Sequence, residues 1–120
     1  MNKHLANRDL VAAAEVRDLF GGKGLFRRYP YYSEGDGVLP FTIIVETVME
    51  GGAYAGLHTQ PGQHELLYVL EGAGRFTIDG DSFDVKQGDA LLAPAGANFA
   101  LANPGAAPLR YLAVKCRAAG

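Results

Sequence analysis

His58, Gln60, His64 and Glu65 stand close together in GLHTQPGQHELLYVLEG, residues 56–72. Imidazole and carboxylate are strong ligands for a divalent first-row metal, and an amide oxygen is a weaker one. The same groups could instead fix the polar end of an organic molecule. His58 and Gln60 are two apart, so on an extended strand they share a face. Pro61-Gly62 turns the chain. Glu65, Leu67 and Val69 then share one face of the next strand, and Leu66, Tyr68 and Leu70 share the other. A hairpin of this kind aims His58, Gln60 and Glu65 into one cavity. Whether His64 or Glu65 takes the inward position depends on the geometry of the turn, so both stay candidates.

The elements that must position these groups are short strands. FTIIVETVM (41–49) is rich in β-branched residues. HELLYVLEG (64–72), GRFTI (74–78), DSFDV (81–85), ALLAP (90–94), NFALA (98–102) and PLRYLAVKC (108–116) follow, separated by Gly, Pro, Asp and Asn turns. Many short strands at regular spacing predict an all-β sandwich or barrel. SEGDGVLP (33–40) reads as a surface loop. The N-terminal third admits two readings. NRDLVAAAEVRDLF suits a helix capped by Asn7, whereas EVRDLF-GGKG-LFRRYPYY suits two strands around a glycine turn. A hairpin from about Val16 to Tyr32, after a short helical or irregular arm, is the preferred expectation. Residues 1–15 are assigned to the arm and 16–120 to a single barrel domain.

The chain has 120 residues, enough for one substantial core. Its net charge of -2 is spread evenly, with no basic stripe or cationic amphipathic face. Nucleic acid and membrane surfaces are therefore disfavoured as partners. One cysteine, Cys116, cannot form an internal disulfide, which suits a reducing cytoplasm. No signal-peptide core and no bilayer-length apolar run is present. His4 is assigned to the arm, Arg75 and Arg110 to solvated strand faces, and Phe41, Phe76, Phe83 and Phe99 chiefly to the core.

Two spacings carry a resemblance to the cupin family. Its first motif is usually written G-x5-H-x-H-x3-4-E-x6-G. Here Gly52, His58, Gln60, Glu65 and Gly72 fall in that register. The second, G-x5-P-x-G-x2-H-x3-N, is matched by Gly88, Pro94, Gly96, Phe99 and Asn103. The resemblance extends over most of the chain beyond the first fifteen residues. It implies a cupin-type jelly-roll β-barrel, also called a double-stranded β-helix, with a pocket inside. Relatives of this size usually pair, so it also implies a homodimer. The N-terminal segment and the outward face of LLYVL are the candidate contacts.

The sequence departs from the family at two of the four usual metal positions: Gln60 and Phe99 stand where histidines are usual. The resemblance still implies a divalent metal (Zn, Ni, Mn or Fe) held by His58 and Glu65, with Gln60 or His64 as a third ligand. Phe99 and Tyr54 are the expected pocket residues. Two functions follow. One is a metal-dependent isomerase, cyclase, decarboxylase or oxygenase acting on a small polar or aromatic compound. The other is a metal-free small-molecule-binding protein acting as sensor, carrier or accessory subunit.

Overall fold

The β-branched run FTIIVETVM forms one continuous strand because alternate residues find two different environments. Val45, Thr47 and Met49 face inward and are buried, while Ile44 and Val48 on the other face are only half-buried. The computed structural model describes residues 4–119. Its strands are β1 (Ala14–Arg17), β2 (Leu25–Ser33), β3 (Phe41–Met49), β4 (His58–Thr59) and β5 (Gln63–Glu71). They continue with β6 (Ala73–Ile78), β7 (Asp81–Lys86), β8 (Ala90–Ala93), β9 (Asn98–Ala102) and β10 (Leu109–Arg117). A six-stranded sheet has the order β1-β2-β3-β10-β5-β8, and a four-stranded sheet the order β4-β9-β6-β7. Every pairing is antiparallel. Neighbours distant in sequence give the crossovers of a jelly roll. The core lies between the sheets, with Phe26, Val45, Met49, Val69, Phe76 and Leu109 fully buried. Phe41 and Phe83 are not part of it, contrary to expectation. Both are exposed, and Phe83, paired opposite buried Phe76, meets it edge-on at 5.7 Å between ring centroids.

The N-terminal hairpin is present, beginning at Ala14 rather than Val16. Ala14 pairs with Arg28 and Arg17 with Leu25. Strand partners thus override the helical propensity of the alanines. Helix survives only as a 3-10 turn over Arg8–Leu10, where the Asn7 side chain accepts the Asp9 N–H at 2.9 Å. This arm lies over the outer face of the larger sheet. Arg8 reaches the Glu46 carboxylate at 3.3 Å, and Arg110 approaches the same oxygen at 3.6 Å. Glu46 is consequently buried although its strand position faces outward. Arg110, expected in solvent, also binds Glu71 at 2.9 Å and is tied to its own sheet. Cys116 is half-buried in β10 as a free thiol. No helix among the described residues is long and apolar enough to cross a membrane.

Turn residues lock the two sheets together. Gly72 has φ of +92°, and a Cβ there would lie 2.6 Å from the Pro108 carbonyl oxygen, so only glycine fits without strain. Asn103 is 1% exposed. Its amide donates to the carbonyls of Ala107 (2.8 Å), Met49 (3.1 Å) and Glu50 (3.3 Å), and its oxygen accepts the Gly105 N–H at 3.2 Å. One buried side chain thereby ties the end of β3 to the loop before β10. Asn103→Ala is expected to cost about 2–3 kcal/mol, because a buried side chain is removed and four backbone groups lose its hydrogen bonds together. Urea denaturation should show a lower midpoint at unchanged slope. An unchanged midpoint would mean that those carbonyls find other donors.

Candidate binding site in the barrel

β4 is only two residues long, yet its register places the site. His58 pairs directly with Phe99 of β9, and Thr59 with Asn98. The two glycine-framed sequence motifs therefore meet across one ladder, with the His58 and Phe99 ring centroids 4.4 Å apart. On β5, Glu65 faces inward and is 7% exposed. His64 takes the opposite face, where its Nδ1 accepts the Ala95 N–H at 2.9 Å. The structure thus brings His58, Gln60, Glu65 and Phe99 together and turns His64 away. Tyr54 is 43% exposed and lies outside the cavity wall.

The polar contacts run through Gln60. His58 Nδ1 lies 2.7 Å from the Gly56 carbonyl oxygen, which can only accept. Nδ1 therefore donates to it, which in the neutral ring leaves the lone pair on Nε2. The Gln60 amide nitrogen sits 3.3 Å from that Nε2 and 2.8 Å from Glu65 Oε1. Its two N–H groups thus bridge the imidazole and the carboxylate. The Gln60 oxygen is buried without a partner. Lys115, opposite Glu65 on β10, holds its ammonium 3.8 Å from the same carboxylate.

Among the other residues that line the cavity, five were not singled out by sequence reasoning and bear on its chemistry: Phe20, Arg28, Thr47, Tyr111 and Lys115. Arg28, Thr47 and Tyr111 form one inward-facing row, since Arg28 pairs with Thr47 and Thr47 with Tyr111. Period-two alternation from buried Phe26 would have placed Arg28 inward. Tyr111 is held by Thr47, and burial together with the nearby Glu65 charge pushes its phenol well above the usual tyrosine range. The remaining space is about 30 Å³, room for a water or two and not for an organic ligand.

A cupin-domain family model matches residues 44–115. The chain belongs to the cupin family. An oxalate-binding protein of Thermotoga maritima is 26% identical over 104 residues, covering 87% of this chain and 86% of that protein. An uncharacterized protein of Methanocaldococcus jannaschii is 33% identical over 69 residues, and the match spans 58% of this chain and 55% of that relative's length. The crystal structure of a predicted oxalate decarboxylase from Thermotoga maritima superimposes with a TM-score of 0.91 at 24% identity, covering 95% of this cupin and 99% of that chain. A polyketide cyclase from Streptomyces resistomycificus gives 0.78 at 22% identity, covering 93% and 78%. At these identities the two structures establish the fold alone.

The side chains of this cupin, as arranged, do not fit a resident metal ion. An ion between His58 and Glu65 would need the lone pairs that the Gln60 amide already engages. Phe99 contributes a hydrocarbon wall where a further ligand would stand. Among the described residues, no group of three or more His, Cys, Asp or Glu is placed to hold a metal, whereas catalytic zinc commonly takes three protein ligands.

Burial lifts the Glu65 carboxyl above the ordinary glutamate value, and Lys115, Gln60, His58 and Arg28 oppose that rise only in part. A carboxyl with a raised folded pKa contributes stability in acid and loses it as pH climbs through the folded value. Ionised Glu65 therefore weakens the fold near neutrality. Glu65→Gln should be at least as stable as the wild type at pH 7, with the advantage shrinking toward pH 4. Thermal unfolding at both values checks this. A variant less stable than wild type at pH 7 alone would show that the Lys115 and Gln60 contacts outweigh desolvation.

Proposed function

We propose that this cupin binds a small organic molecule in its barrel without a metal. The observation that carries the reading is the Gln60 amide bridging His58 and Glu65, which occupies the place and the lone pairs that an ion would use. Phe99 lines the apolar side of the cavity, and His58, Gln60 and Glu65 supply directional polar contacts, the usual division of labour in a ligand pocket. The oxalate-binding relative from Thermotoga maritima supports a carboxylate as part of the ligand. A sensor, carrier or accessory subunit of the cytoplasm fits this chemistry. A second reading is metal-free acid–base catalysis of an isomerisation or cyclisation. It rests on Glu65, a buried carboxyl whose proton affinity burial raises, beside Lys115.

The test is elemental analysis of protein purified without a chelating tag, followed by zinc titration calorimetry. Wild type is expected to hold far less than one equivalent of metal. The double variant Gln60→His with Phe99→His should gain affinity, and gain more above the imidazole pKa of about 6.5, because a protonated ring cannot ligate. One tightly held equivalent in the wild type would overturn the proposal.

We also propose that the protein is a homodimer. Leu66, Tyr68 and Leu92 are exposed on the outer face of the larger sheet, and Leu66 pairs directly with both Leu92 and Val114. That face is a contiguous apolar surface for a second copy to cover. The N-terminal arm, by contrast, is engaged with Glu46 of its own chain. Sedimentation at micromolar concentration should show a dimer, and Leu66→Glu with Leu92→Glu should give a monomer. A monomeric wild type would refute the assignment.

A further inference from the structure

The cavity is closed by one side chain, and that side chain is built like a ligand. Phe20 lies on the turn between β1 and β2 with its ring stacked on the His58 imidazole, centroids 3.7 Å apart and planes 12° from parallel. The Lys115 ammonium stands 6.0 Å from the centroid of the same ring. Phe20 is nevertheless 47% exposed, whereas Phe99 on the opposite wall is 3% exposed. Asp18 and Phe20 both have φ of +55°, the left-handed region that residues with a Cβ seldom enter.

The backbone of this turn is tied down on both sides. The Gly56 N–H donates to the Leu19 carbonyl at 2.9 Å, and Lys23 and Tyr54 exchange backbone hydrogen bonds at 2.9 and 2.8 Å. A Cβ at Gly56 would collide with the Phe20 carbonyl, so the two segments are in close contact. Opening the cavity therefore does not require the turn to lift. Rotation of the Phe20 side chain into solvent would uncover the face of the His58 ring on which it stacks.

Charge says what would take the place of Phe20 there. Arg28 and Lys115 are two cations on the wall, against one carboxylate, Glu65. Glu65 is already engaged by Gln60 and Lys115. The Arg28 Nε is buried and has no hydrogen-bond partner, a costly arrangement that an incoming anion would relieve.

We propose that Phe20 is a side-chain stopper standing in for the ligand, and that the ligand is a planar aromatic carboxylate. Its ring replaces Phe20 on His58 and its carboxylate pairs with Lys115 and Arg28. This deepens the metal-free reading above and rests on it. The ligand displaces an internal competitor, so apparent affinity is lowered by the fraction of molecules in which Phe20 is seated.

Calorimetry on the full chain with benzoate, benzamide, cyclohexanecarboxylate and oxalate tests the proposal. Benzoate should bind wild type weakly and Phe20→Ala about tenfold more tightly. Benzamide lacks the charge and cyclohexanecarboxylate the flat ring, so both should bind more weakly than benzoate. Adding Lys115→Met to Phe20→Ala should abolish the gain. The wild type has no tryptophan, so Phe20→Trp provides a single tryptophan whose emission should change as benzoate unseats it. That variant also decides the matter if Phe20→Ala does not fold. Equal benzoate affinity in wild type and Phe20→Ala, or unchanged tryptophan emission, would overturn the stopper. Preference for benzamide or for oxalate over benzoate would overturn the ligand class and leave the metal-free pocket standing. Stoichiometric metal in the wild type would instead overturn the reading on which both rest.

Discussion

The register of β5 between β10 and β8 is the constraint on which the site depends. Glu65 lies opposite Lys115 on one side and Ala93 on the other. Because strand side chains alternate, this pairing sends Glu65, Leu67 and Val69 inward and His64, Leu66 and Tyr68 outward. A slip of one residue would exchange the two sets, exposing the core and burying a histidine against no partner. The buried leucine and valine thus hold Glu65 in place. The carboxylate is inside because its neighbours at alternate positions are the ones that must be inside.

Holding it there has an energetic cost that the surroundings offset in part. The carboxylate loses hydration, and the Gln60 amide and the Lys115 ammonium return some of it. The arrangement is not fully compensated, since Gln60 Oε1 and Arg28 Nε are buried without partners. Elsewhere the protein meets such demands closely, as the Asn103 side chain does for its surrounding carbonyls. Two of the three buried polar atoms without partners among the described residues lie at the cavity, where a bound molecule can meet them, and the third, Arg110 Nε, lies beside Glu46 on the outer face. The left-handed backbone at Asp18 and Phe20 lies at the mouth of the same cavity.

Two features of the N-terminal segment add to the double sheet. The arm packs Arg8 on Glu46 and covers the outer face near β2 and β3. The β1–β2 turn reaches over the opening and caps it with Phe20. Both come from the N-terminal segment, which adds β1 and β2 to one edge of the larger sheet. The matched family region begins only at residue 44, so the segment that closes the cavity lies outside the part of the chain that defines the family.

Strand positions from Phe41 onward were legible in the sequence because β-branched runs and Gly or Pro turns are local signals, and local signals survive folding when each strand has one buried face. His58, Glu65 and Phe99 were legible for the same reason, since their spacing from framing glycines is local. The choice between His64 and Glu65 was not, because it depends on register against β10 and β8, distant in sequence. Nor were Arg28 and Lys115 as cavity residues: each is an ordinary strand cation until β2 and β10 are placed on either side of β3. Glu46 occupies an outward-facing strand position, and the arm folded across it makes it buried. Phe20 read as the end of a strand before the glycine turn, and nothing in the neighbouring residues says that its ring will stack on His58. The sequence determined which segments are strands and which face of each is apolar, because those follow from side-chain alternation. Tertiary structure alone decided which charges share the cavity and what closes it, because those follow from long-range pairing, which no short stretch of chain encodes.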